Sequence, residues 1–465
     1  MDKAQEMKQQ RRERMLTAPL RPLLIKTAIP TMLGMLVTML YNLTDTFWIA
    51  RLNDEAMTAA VGIVFAFVSV VQALGFWFGY GSGNVMSRRL GVNREQEAAV
   101  ISADGLGLAI GSGLLLLAAS AWQLRPLAVL LGGDASEKLL EQTMAYLRLL
   151  LPSIPFSLYA TTLYNQLRLC GNVKDGMLGL LSGMLVNMVL DPILILGLGM
   201  GTGGAGLATS VGQVIGAIVL TRLSFLHGNI PAGLRLFDLR QGRWKHILAG
   251  GAPNFTRQGI TSLASVLLNR AAVPFGTSVI AALTISGRIA SLVYMLMIGF
   301  GQGFQPICAM NFGAKQYDRV RRAFRLTVTI GTVFLTAASV LLYLFARPLT
   351  GIFTTDEAVL AAGCAILRYQ CFALPLLGYY AVSSMYMQNI GKYGRALIIS
   401  VSRQGFCFIP LVLLLPRLWG VTGLYLAQPL ADALSFVIAI AVLLLSPLPE
   451  NNQPASAGKG DRADD

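Results

Sequence analysis

The chain has 465 residues, 54% of them hydrophobic and only 13% charged, and its mean hydropathy is +0.60. Soluble domains carry about 25% charged residues, so this composition excludes an ordinary soluble enzyme, a disordered scaffold and a secreted disulfide framework. The formal net charge of +14 would point to nucleic acid in a soluble protein, but here its position along the chain matters more than its sum.

A helix that crosses a bilayer needs about 20 apolar residues. Twelve runs meet that length, at 27–49, 56–83, 99–122, 139–164, 177–198, 203–221, 246–269, 276–304, 326–346, 359–387, 396–416 and 420–445. The first is too long for the core of a signal peptide. The basic stretch before it, with Arg11, Arg12 and Arg14, predicts an amphipathic helix on the membrane surface. The polar tail 446–465 has the composition of a disordered segment. The histidines, His227 and His246, and the five cysteines offer no metal or haem pattern within a span, and no C-x-x-C occurs. The cysteines read as small core residues.

Of the 37 Lys and Arg residues, 26 fall on the side that holds both chain ends and six on the other. By the positive-inside rule both termini are cytoplasmic, and an even number of spans follows. Topology thus accounts for the positive charge, and no nucleic-acid partner is expected.

The chain also repeats itself. Gly79 to Gly91 (GYGSGNVMSRRLG) aligns with Gly301 to Gly313 (GQGFQPICAMNFG) at an offset of 222 residues. Pro30 matches Pro253, and Pro155, Tyr159 and Gly171 match Pro375, Tyr379 and Gly391. Each half holds six spans, an even number, so both enter the membrane in the same direction and the repeat is parallel. The expected fold is therefore an all-α polytopic membrane protein with 12 transmembrane helices in two pseudo-symmetric six-helix lobes. Its parts are a basic cytoplasmic or interfacial N-terminus (1–26), an N-lobe (27–221), a cytoplasmic linker (222–245), a C-lobe (246–445) and the tail (446–465). Two symmetric lobes suit the rocking of a central site between two openings, which points to transport.

Three segments carry a resemblance. They are IPTMLGMLVTMLYNLTDTFWIARLN in span 1, LSGMLVNMVLDPILILGLGMGTGGAGLATSVGQ across spans 5 and 6, and GFGQGFQPICAMNFGAKQYDRV at the end of span 8. Over residues 20–445 the chain resembles the multidrug and toxic compound extrusion (MATE) family of cation-coupled exporters. The resemblance implies two V-shaped lobes, alternating access and export driven by Na+ or H+, without a cofactor. It also implies a monomer in a bacterial-type cell membrane whose cargo is small, amphipathic and cationic. A lipid-linked oligosaccharide flippase shares the two-lobe plan and is the alternative. An intramembrane enzyme would need a nucleophile–base pair or a metal set at matching depth, and the spans hold no histidine beyond His246 at the first residue of span 7.

Acidic residues inside a membrane are costly and are functional candidates. Asp45 lies four to five residues from the outer end of span 1, and Asp191 about seven from that of span 5. At about 1.5 Å per residue both sit roughly 7–10 Å below the outer surface. Asn187 precedes Asp191 by one helical turn, Thr209 in span 6 and Tyr146 in span 4 reach a similar depth, and Pro192 interrupts the helix. This set also matches, residue by residue, the cation site of the MATE branch that uses its N-terminal lobe. Asp45, Asn187, Asp191 and Thr209 offer oxygens to Na+, and the two carboxylates alternatively share a proton. Their second-half counterparts, near Leu268, Ile366, Cys407, Leu411 and Leu426, are apolar or nearly so, which places coupling in the first lobe. The other branch keeps an acid in span 7, where this chain has Arg257 instead.

In the second half, Asp432 and Arg403 share a mid-membrane depth and are expected to form an ion pair. Arg257 and Arg288 are also near mid-depth and are candidate cavity residues, either for an anionic or zwitterionic group or for backbone carbonyls. Tyr41 and Trp77 are candidate aromatic faces for planar cations. Asp104, one turn into span 3, is expected to reach the cytoplasmic interface.

Overall fold

The computed structural model describes residues 3–238 and 240–448, with the side chains of residues 3, 4, 39–43, 45 and 46 left out. Among the described residues every regular element is helical. Span 1 is Leu20–Ala50, span 2 Glu55–Gly91 and span 3 Glu95–Trp122. Span 4 is Glu137–Leu150 joined to Ile154–Leu169, and span 5 is Val173–Pro192 with a wider π turn over Ile193–Gly197. Span 6 is Gly201–Ser224, span 7 Trp244–Ala272, span 8 Thr277–Gly313 and span 9 Tyr317–Leu344. Span 10 is Glu357–Ala373 with Leu376–Asn389, bent by 56°.

The last stretch, Tyr393–Leu444, is 52 residues of near-continuous helix. At about 1.5 Å per residue it would be far longer than the roughly 30 Å hydrocarbon core. It breaks at Trp419 and Gly420, where Gly420 takes φ +58°, a value that glycine adopts without strain. Spans 11 and 12 lie on either side of that break. Eight stretches are apolar enough to be spans by length and composition alone. Span 4 falls short because Arg148 and the turn Leu151–Ser153 interrupt it, and span 7 carries Arg257 near its middle. Pro155 and Pro375, the prolines that matched in the repeat, stand where the second helix of spans 4 and 10 begins.

The repeated glycines turn out to form the seam between the lobes. A Cβ on Gly91 would lie 2.2 Å from the Met310 carbonyl oxygen, and one on Gly313 would lie 2.1 Å from that of Arg88. Each contact is the other's image at the 222-residue offset, so a pseudo-twofold axis passes between spans 2 and 8. A Cβ on Gly81 would lie 1.9 Å from the Ile247 carbonyl oxygen, and one on Gly303 would lie 2.5 Å from the Ala28 Cα. Hydrogen bonds from Thr27 Oγ1 to the Gly303 carbonyl (2.8 Å) and from Thr31 Oγ1 to the Gly299 carbonyl (2.6 Å) close spans 1 and 8. All of these contacts lie toward the end that carries the termini. Any side chain at Gly313 must push backbone away from backbone, and overpacking of this kind costs about 1–3 kcal/mol or more. Gly313→Ala is therefore expected to lower the melting temperature in detergent by several degrees. Gly394→Ala, where nothing lies within 4 Å of a Cβ, is expected to leave it unchanged.

Two expectations are corrected at this end. The N-terminal helix Lys3–Thr17 does not lie free on the membrane surface but straps the two lobes. Arg12 donates to the carbonyls of Leu90 (3.1 Å) and Gly91 (3.0 Å), Lys8 pairs with Glu95 (3.1 Å), and Asn311 Nδ2 donates to the Met15 carbonyl (3.0 Å). Met15 and Leu16 are buried. Arg11 donates to Asn229 Oδ1 at 2.8 Å, and burial holds its guanidinium below its usual value. Asp104 is likewise 1% exposed rather than at the interface. The segment between the lobes folds over it, with Arg243 Nε at 2.7 Å and the Asp238 backbone N–H at 3.0 Å.

Candidate functional site: a buried acid cluster and an inter-lobe cavity

Spans 5 and 6 come together on glycine. A Cβ on Gly183 would lie 2.6 Å from the Gly212 carbonyl oxygen, and one on Gly206 would lie 2.5 Å from that of Tyr146. This close approach brings Asn187, Asp191, Thr209 and Tyr146 into one buried region. Asn187 Nδ2 donates to Asp191 Oδ1 and to Thr209 Oγ1, each at 3.3 Å. Asn187 Oδ1 is buried with no hydrogen-bond partner among the described residues. The cluster thus presents a carboxylate, an amide oxygen and a hydroxyl, all hard oxygen donors that suit a small cation or a proton. Asp45 is in span 1, which packs on span 5, but its side chain lies outside the described residues. The same holds for Tyr41.

Between the lobes is a cavity of about 920 Å3. It reaches from Tyr80 and Gln302 beside the seam to Asn269 and Thr284 toward the opposite end. Among the described residues its first-lobe wall is neutral and partly aromatic, with Phe65, Gln72, Phe76, Tyr164 and Gln213. Its second-lobe wall holds the charge: Arg257, Arg288, Arg403 and Asp432 all line it. The structure brings Arg403 and Asp432 together, Nε to Oδ1 at 2.7 Å and Nη2 to Oδ2 at 3.4 Å. Gln428 Nε2 also donates to Asp432 Oδ1 at 2.7 Å, and the Arg403 guanidinium lies 4.7 Å from the Tyr294 ring centroid. A wider π turn over Ser402–Phe408 carries Arg403, an irregularity often found at functional positions.

Trp77 does not line the cavity. Its indole N–H donates to the Leu248 carbonyl at 2.7 Å, and its ring stacks on Phe255 at 4.3 Å. Gly251 leaves the room for this, since a Cβ there would lie 1.8 Å from the Trp77 carbonyl oxygen. The expected cationic cargo finds no free carboxylate among the described residues of the wall. Sequence reasoning also missed Arg168, a fully buried arginine near the seam. It crosses from span 4 to span 8, donating to Gln305 Oε1 (2.8 Å) and the Gln302 carbonyl (3.2 Å), and lies over Tyr80 at 5.0 Å. The available signal was an arginine among apolar residues near the end of a span.

With this geometry in view, the comparisons are specific. A family model described as MatE matches twice, at residues 30–193 and 253–414. The chain belongs to the MatE family. The two matches fall one on each half of the repeat. Among relatives, the multidrug export protein MepA of Staphylococcus aureus (strain NCTC 8325 / PS 47) is 26% identical over 431 residues, covering 92% of this chain and 94% of its own. The protein of the same name from Staphylococcus saprophyticus is 25% identical over 420 residues, 90% of this chain and 92% of its own. Among solved structures, an outward-facing multidrug resistance MATE family transporter superposes with a TM-score of 0.85 at 23% identity, over 94% of this chain and 98% of its own. A MATE protein in a straight conformation gives 0.84 at 24%, over 93% and 96%. These likenesses establish the MatE fold of twelve membrane-spanning helices in two lobes.

Proposed function

We propose that the chain is a secondary active efflux antiporter of a bacterial cell membrane, exporting small amphipathic organic compounds in exchange for Na+ or H+. The observation that carries this reading is the separation of two sites in one molecule. A cavity large enough for a drug-sized compound lies between the lobes, and a compact polar cluster around Asp191 lies buried inside the first lobe, one helical turn behind Gly183 and Gly212 of the cavity wall. Two such sites let an ion and a cargo oppose each other through a shared conformational change.

The lobes 27–221 and 246–445 then rock about the glycine seam, with 222–245 as their link and both termini in the cytoplasm. In the state described here the sealed end faces the cytoplasm. Asp45 and Asp191, with Asn187, Thr209 and Tyr146, receive the ion from outside. Neutralising those acids rearranges spans 1, 5 and 6, and Pro30 and the π turn after Pro192 are places where they bend. The excess of arginine among the described residues of the wall favours a second reading, a lipid-linked oligosaccharide flippase. The chain works as a monomer and needs no cofactor.

The test is purified protein in proteoliposomes with Na+ and H+ gradients imposed separately. An inward-directed gradient of at least one ion is expected to drive accumulation of amphipathic dyes against their own gradient. Dye movement indifferent to both gradients would rule out antiport.

A further inference from the structure

The second-lobe wall of the cavity holds three guanidiniums and one carboxylate among its described residues. That carboxylate is already engaged on both oxygens. Asp432 accepts from Arg403 Nε and Gln428 Nε2 on one oxygen, both at 2.7 Å, and from Arg403 Nη2 on the other. A cationic guest would have to break this set. Arg257 and Arg288 stand differently: among the described residues neither guanidinium makes an ion pair, nor a hydrogen bond to a backbone carbonyl. Both come from near mid-span, in spans 7 and 8. An uncompensated charge at that depth is costly, survives only beside a water-filled cavity and marks a substrate path.

We propose that this wall is the recognition site for an amphiphilic organic anion, with Arg257 and Arg288 receiving its carboxylate, sulfonate or phosphate. The inference rests on the efflux reading and replaces its expected cationic cargo. The body of the guest lies against rings and amides from both lobes, among them Phe76, Tyr294, Tyr425 and Gln370. Arg suits this task because its planar fork meets an oxyanion with two parallel N–H donors and also stacks on rings. Arg403 serves indirectly, since Asp432 holds it away from the guest. One lobe thus reads the cargo and the other reads the coupling ion. The anionic group is carried either by a water-soluble compound or by a lipid headgroup, which have the same chemistry at the arginines.

Two xanthene dyes of similar shape and opposite charge test this: carboxyfluorescein, an anion, and tetramethylrhodamine methyl ester, a cation. Binding to the purified full-length protein is followed by fluorescence anisotropy. Wild type is expected to hold carboxyfluorescein at least about tenfold more tightly than the rhodamine. Hydrogen bonds to charged groups imply a loss of about tenfold or more in anion affinity for each of Arg257→Gln and Arg288→Gln. Arg257→Lys and Arg288→Lys keep the charge and are expected to recover part of it, so a folding defect in the glutamine variants leaves a second reading. Rhodamine affinity is expected to stay the same or rise. The proposal is overturned if the rhodamine binds as tightly as the anion, or if the double glutamine variant holds carboxyfluorescein as wild type does.

The same dyes in proteoliposomes separate this inference from the efflux reading. Gradient-driven movement of the rhodamine but not of carboxyfluorescein sinks the anion site and leaves efflux standing. Movement and binding of neither sinks both. Nanodiscs of phosphatidylcholine and of phosphatidylglycerol distinguish the source. Equal carboxyfluorescein affinity in the two supports a soluble cargo. Weaker dye binding in phosphatidylglycerol supports the anion site and assigns it to a lipid headgroup.

Discussion

Asp191→Asn is expected to abolish gradient-driven export while leaving the amount of folded protein near normal. The substitution keeps the volume and the hydrogen-bonding reach of the side chain, so the packing of spans 5 and 6 around it survives. It removes the charge that attracts a cation into a fully buried place. An ion drives export only as far as its binding differs between the two conformations of the lobes. Such couplings are typically worth about 5- to 150-fold, and a neutral amide forfeits that factor. Downhill exchange of dye without an ion gradient needs no coupling and is expected to continue. Asp45→Asn is expected to behave in the same way. The measurement is dye transport in proteoliposomes with matched protein, with and without the gradient. Wild-type uphill transport by Asp191→Asn would make the acid a structural residue and remove the coupling site from this cluster.

Hydropathy and charge placement made the twelve spans legible, because a bilayer sorts residues by length and polarity and leaves little else for the sequence to encode. The parallel repeat was legible for a similar reason: Gly91 and Gly313 sit where the backbone of the other lobe leaves no room for a Cβ, and Pro155 and Pro375 begin the second helix of a broken span. What the pattern did not carry was which surface each residue meets. Trp77 has the composition of a cavity aromatic, yet Gly251 on another span admits it into the seam. Asp104 was placed at the interface by its depth, but the segment ending in Arg243 covers it from a distance of more than a hundred residues along the chain. The basic stretch predicts an N-terminal helix on the membrane surface, yet Arg12 is spent on helix-end carbonyls and Arg11 on the linker. Depth follows from counting residues along one helix. Partnership depends on how helices are rotated and crossed, and that information is spread over small residues far apart in the chain.

Asp432→Leu is expected to destabilise the protein strongly, and the added change Arg403→Leu to restore much of the loss. Asp432 is nearly buried and Arg403 is only 17% exposed at its side chain. Removing one partner of such a pair typically costs about 3–5 kcal/mol, whereas replacing both with apolar groups of similar size is often near neutral. Water in the cavity moderates the first figure, and the Tyr294 ring continues to face the stranded guanidinium. Melting in detergent should therefore rank wild type and the double variant close together, with Asp432→Leu well below. If the double variant melts no higher than the single one, the two residues do not stabilise each other. Asp432→Asn adds a second readout. It weakens the hold on Arg403 and leaves the wall with three guanidiniums and no carboxylate among its described residues. Carboxyfluorescein is then expected to bind more tightly than to wild type even as the melting temperature falls. A purely structural ion pair gives the fall in stability without the gain in anion affinity. The two measurements together therefore decide whether Asp432 only braces spans 11 and 12 or also limits how much positive charge the cavity shows to its cargo.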